Sequence, residues 1–156
     1  METGGVFAGW AIASCLMLSF VSAVVPWVNA EVILLGFAAT VGSTSELAVV
    51  VVVVTAGQMI GKCLLYEASR RAAALPRHAD EAASRWQRRL SSVRSAPLTL
   101  VFVSSVVGVP PFYLVTLVAG ALRIGVGRFV AAGTLGRLVR FGCLVAVPHL
   151  LAASAG

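Results

Sequence analysis

The stretch FVSSVVGVPPFYLVTLVAGALR, Phe102 to Arg123, decides how this chain folds. It carries no formal charge before its last residue, and its composition suits hydrocarbon. Gly108-Val109-Pro110-Pro111 interrupts it near the middle. Proline lacks an amide donor and clashes with the preceding turn, so one regular helix cannot run through the pair. The piece after the break, 112–123, is about 18 Å long at 1.5 Å per residue. That falls short of the roughly 30 Å of bilayer hydrocarbon. The spacing therefore predicts a helix, a break with irregular backbone, and a short second helix.

A matching pattern lies earlier in the chain. Pro26-Trp27-Val28-Asn29-Ala30-Glu31 interrupts the first apolar segment, and a short piece, roughly 32–41, follows. Pro26 precedes Gly36 by ten residues, as Pro110 precedes Gly120. Short turns come next, Gly42-Ser43-Thr44-Ser45 and Ile124-Gly125-Val126-Gly127, and then long apolar stretches at about 46–68 and 128–152. Broken segments at matching positions in two halves point to repeats with a site between them. Two ordinary proline-kinked spans are the alternative.

Working outward, the whole composition agrees with a membrane environment. Of 156 residues, 59% are hydrophobic and 12% charged, against about 45–50% and about 25% in soluble domains. Twenty-eight uncharged residues separate Glu2 from Glu31, and another 28 separate Arg94 from Arg123. The net charge of +6 is concentrated, with seven arginines between residues 70 and 94. Hydrocarbon-length segments flank that run on both sides. It therefore reads as a cytoplasmic loop under the positive-inside bias, and nucleic-acid binding is set aside. Within it, Trp86, Leu90 and Val93 fall at i, i+4 and i+7 among arginines. That predicts either a basic amphipathic helix on the inner leaflet at 79–95 or a solvated helix packed on the bundle. If 97–123 dips into the bilayer and returns, Arg123 and Arg128 stay with the cytoplasmic arginines and the 42–45 turn is external.

The fold expected is an all-α integral membrane protein, a single membrane domain over 1–156. It has two inverted halves, each a re-entrant broken helical hairpin followed by a transmembrane helix. The first half covers about 6–69, the basic loop about 70–96 and the second half about 97–156. Pro26, Gly36, Gly108, Pro110, Pro111 and Gly120 mark the re-entrant breaks.

Signatures of soluble enzymes are missing from the sequence. Six acids and two histidines include no carboxylate cluster for a metal and no evident nucleophile–histidine arrangement. The cysteines, at 15, 63 and 143, are far apart and lack metal spacing. No metal, cofactor or catalytic residue is expected. What remains is charge at depth, which is costly and so points to function. Glu31 sits at the first break. Arg137 and Arg140, three apart in the last long helix, share a face. Arginine presents a donor fork suited to phosphate oxygens, and both are candidates to receive a lipid phosphate. A structural ion pair between Glu31 and Arg137 is the competing reading. Lys62 lies within reach of the inner end of its helix and ranks lower. Gly57 and Gly136 are expected to allow close helix packing.

At these residues the chain resembles a known family. PWVNAEVILLG (26–36) resembles the first re-entrant motif of the VTT-domain family, the DedA-like or SNARE-associated Golgi proteins. GKCLLYEASR (61–70) resembles its Gly-Asp…Tyr-x-x-Gly-Arg segment, with Lys62 at the acid's place and Ser69 at the second glycine's. FVSSVVGVPPFYLVTLVAGALR resembles the second re-entrant motif in its short bacterial form, without the arginines of larger members. GRFVAAGTLGRLVRF (127–141) resembles the closing helix. The resemblance spans most of residues 18–145. It implies two opposed re-entrant hairpins, a multi-pass protein of the bacterial inner membrane with a cytoplasmic 70–96 loop, and movement of an anionic lipid such as a polyprenyl phosphate or phospholipid. It adds Tyr66 and Arg70 to the lipid-phosphate candidates. Membrane lipids are the expected partners, and a homo-oligomer is compatible with the reading. A non-transporting membrane scaffold and a small multidrug-type exporter are the alternatives.

Overall fold

The computed structural model describes residues 3–25, 27–41, 43–74 and 96–154. Pro26 and the amphipathic helix expected at 79–95 lie outside the described residues. Among the described residues six helices run in the order α1 (Thr3–Val24), α2 (Ala30–Ala38), α3 (Thr44–Ala72), α4 (Ala96–Val107), α5 (Phe112–Ala121) and α6 (Val126–Ser154). There is no strand among the described residues. Of these helices, α3 and the Val126–Ala146 part of α6 are long and apolar enough to cross a bilayer.

Local chemistry sets the boundaries. Asn29 opens α2, its side chain accepting the Glu31 amide at 2.9 Å. Ser43 and Glu46 open α3 as a reciprocal pair. The Glu46 amide donates to Ser43 Oγ and the Ser43 amide to Glu46 Oε2, each at 3.3 Å, a capping box. Arg70 and Arg71 occupy the last turn of α3, where cations complement the helix dipole. Gly108 ends α4 with a φ of 84°, a backbone region that only glycine enters cheaply. Pro111 then stands at the N-cap of α5. Arg123 follows α5 in the left-handed region at φ 52°. There the Ile124 amide reaches Ala119 O at 3.1 Å and the Arg123 amide reaches Gly120 O at 3.0 Å, the Schellman pattern that glycine usually serves.

With 9 and 10 residues, α2 and α5 are about 14–15 Å long. The short pieces expected after each break are therefore present. Gly36 and Gly120 need correction as break residues, since both lie inside helices, α2 and α5. Neither has a neighbouring proline to interrupt the ladder, and a single glycine weakens a helix without ending it.

The chain forms two compact units. The first comprises Met1–Ile60 with Leu138–Gly156, the second Gly61–Arg137. Each contains one broken segment whose two helices pack on each other, α1 on α2 in the first and α4 on α5 in the second. In the first unit, Cys15, Ala30, Leu34, Val54, Phe141 and Val145 form a buried apolar cluster. Gly57 lets α3 approach α1 closely: an added Cβ would lie 2.6 Å from Leu16 O and 2.8 Å from Ser19 Cβ. Next to it, buried Gln58 donates through Nε2 to Ser19 O at 3.0 Å and to Ser22 Oγ. In the second unit the Tyr66 and Phe129 rings stack at 5.0 Å and Phe112 and Phe129 at 6.2 Å. Gly136 there lies against Ser105 and Phe102 O.

Candidate anion site

In the second unit the break after α4 is tied down by Ser104, whose Oγ donates to Pro110 O at 2.6 Å. The chain then turns into α5 with two aromatic residues in succession, Phe112 and Tyr113. Each meets a cation from a long helix. The Arg137 guanidinium, from α6, lies 4.9 Å from the centroid of the Phe112 ring. Lys62 Nζ, from α3, lies 5.2 Å from the centroid of the Tyr113 ring. Lys62 is 4% exposed, and Arg137 acts on it as a like charge. Aromatic faces return about 0.5–2 kcal/mol per cation. Two cations held together also repel one another, so an anion placed between them would be drawn by both. They gather at the start of α5, which has no side-chain cap and no acid in its first turn. That is the positive end of its dipole.

The start of α2, in the first unit, is arranged differently. Glu31 lies in its first turn. Arg140 Nε donates to Glu31 Oε1 at 2.8 Å, and Arg140 Nη2 donates to the same oxygen. Their side chains are 23% and 30% exposed. Here the chain supplies its own carboxylate to the positive helix end and neutralises it with a guanidinium.

The candidates read from the sequence therefore separate. Glu31 pairs with Arg140, and Arg137 belongs with Lys62, Phe112 and Tyr113. Of positions 137 and 140, the first sets its guanidinium against the Phe112 ring and the second against Glu31. Lys62 is buried rather than extended toward an interface. Tyr66 is 1% exposed, and its hydroxyl donates to Ile124 O, so it serves as packing and as a tie between α3 and the turn after α5. Arg70 is half exposed and pairs with Glu67 at 3.1 Å. Gly108, Pro110 and Pro111 form the described break. Phe112, Tyr113, Gln58, Ser19 and Ser22 were not singled out from the sequence. Gln58 left one signal, as the amide within the uncharged run between Glu46 and Lys62. Among the described residues no group of three or more His, Cys, Asp or Glu side chains could hold a metal ion.

The family model for the VTT domain matches residues 26–149, most of the chain. The chain belongs to the VTT-domain family. No curated protein and no solved structure matches it at a significant level. The matched region of this VTT-domain protein contains both breaks, α3, the Val126–Ala146 part of α6 and every residue of the two charged sites. With two helices long enough to span a bilayer, it is a DedA-like membrane protein.

Proposed function

We propose that this VTT-domain protein moves an anionic lipid, a polyprenyl phosphate or a phospholipid, across the bacterial inner membrane, and that Lys62 and Arg137 receive the phosphate at the start of α5. One observation carries the reading: two cations from different long helices meet at the Phe112-Tyr113 pair, where the backbone break leaves a positive helix end. Arg137 offers a fork, Lys62 a compact charge. The half-length helices suit re-entrant hairpins, in which irregular backbone at membrane depth lines a polar path. The role is one of binding and passage, without bond-breaking chemistry.

Proteoliposomes carrying a fluorescent phospholipid, bleached from outside, test the proposal. Arg137→Gln and Lys62→Gln should each slow lipid movement at least tenfold, the equivalent of about 1.5 kcal/mol or more for a lost charge-assisted hydrogen bond. Arg137→Lys should recover only part of the rate, because the fork is gone. Wild-type protein that moves no lipid, yet co-purifies stably with other envelope proteins, would favour the scaffold. Rates unchanged in both glutamine variants would remove the phosphate site.

Topology gives a second test. With the native cysteines replaced, Gly125→Cys should fold normally, since nothing lies within 4 Å of an added Cβ there. It should resist membrane-impermeant thiol reagent in intact spheroplasts and react in inverted vesicles. Labelling from outside would replace the hairpin by a crossing, kinked span.

A further inference from the structure

The turn that follows α5 carries cations in two places where the local fold disfavours them. Arg123 occupies a left-handed backbone position at φ 52°, which glycine would adopt without strain. Arg128 lies in the first turn of α6, at the positive end of that helix's dipole, where an acid would be favoured. Neither is explained by helix stability. Arg70 and Arg71, by contrast, are accounted for by their place in the last turn of α3.

These arginines gather at one end of the second unit. The Tyr66 hydroxyl donates to Ile124 O, next to Arg123, and Arg70 acts electrostatically on the same hydroxyl. The Tyr66 ring stacks on Phe129, next to Arg128. All four arginines are exposed. Glu67, paired with Arg70, is the single acid among the described residues of this unit. Val126 stands beside them, 44% exposed, so apolar and basic surface are adjacent.

We infer that this end of the unit is a docking surface for anionic phospholipid headgroups. The end of α3 and the start of α6 are termini of the two helices long enough to cross a bilayer, and such termini meet the headgroup layer. Arginine forks fit phosphodiester oxygens, and exposed Val126 suits the acyl boundary. Basic residues directly outside spanning helices attract anionic lipid. The surface is separate from the Lys62–Arg137 site and does not depend on its role.

The test uses purified full-length protein and native mass spectrometry, with phosphatidylglycerol and phosphatidylcholine offered in equal amounts. Wild type should retain phosphatidylglycerol preferentially, and the preference should fall with added salt because exposed charges are screened. Arg123→Gly and Arg128→Gln should each reduce the preference at least threefold, and the double variant should lose most of it. Arg123→Gly should also melt higher than wild type, since it relieves the left-handed strain, so weaker retention cannot be laid to misfolding. Arg123→Lys should keep most of the preference. An unchanged preference in the double variant overturns the inference. So does a preference lost only in Arg137→Gln, which would place the retained lipid at the other site.

Discussion

Gly120→Ala should destabilise the protein by about 3 kcal/mol or more, the upper range for overpacking. An added Cβ would overlap the Tyr66 carbonyl oxygen and come within 3.1 Å of its carbon and 3.0 Å of Ser69 Cβ. Two of those atoms are backbone, so no side-chain rotation relieves the clash. The helices are further fixed by Ser69 Oγ, which donates to Leu117 O at 2.6 Å. Gly36 is the informative control. It also lies within a short helix, yet nothing is within 4 Å of its added Cβ. Gly36→Ala should be neutral or stabilise by up to about 1 kcal/mol through helix propensity. Thermal melting of both variants in one detergent checks the contrast. Equal stability of Gly120→Ala and wild type would mean that α3 and α5 do not approach here.

Breaking the Glu31–Arg140 pair is the second large effect expected. A fully buried pair costs 3–5 kcal/mol when one partner is removed, and partial exposure here should lower that to about 1–3 kcal/mol. Glu31→Gln and Arg140→Gln should each lower the melting temperature. The double variant should lose less than the sum, because neither charge is left alone. The charge exchange, Glu31→Arg with Arg140→Glu, should recover only in part, since it puts a cation at the positive start of α2. If the pair is structural, lipid movement in these variants should follow their stability. Loss of lipid movement in Glu31→Gln at unchanged stability would put the pair on the transport path.

Much of the fold was legible because proline and glycine act locally. Pro110-Pro111 marks the second break wherever the neighbouring helices lie, and the turn read at 42–45 puts the expected start of the long helix, about 46, within two residues of the observed Thr44. Helix rotation was not legible. Apolar residues cover every face of α3 and α6, so their periodicity does not say which side meets which neighbour. Positions 137 and 140 are separated by about 60° around an α-helix of 3.6 residues per turn. That is enough to send one guanidinium to Glu31 and the other to Phe112. Lys62 misled for a related reason. Distance from a helix end suggested that it could extend outward, whereas packing turned it toward Tyr113. The aromatic half of the site was not recognised because Phe112 and Tyr113 read as ordinary apolar residues.

The first compact unit is discontinuous in the chain, and this sets an order of events during synthesis. Its apolar cluster needs Phe141 and Val145, and Glu31 needs Arg140, which is 109 residues further on. At about 5–20 residues per second, that interval is on the order of 5–20 s. The second unit, residues 61–137, is uninterrupted and complete before the first can close. A nascent chain halted near residue 137 would therefore hold a finished second unit while the Glu31 carboxylate at the start of α2 still lacks its guanidinium.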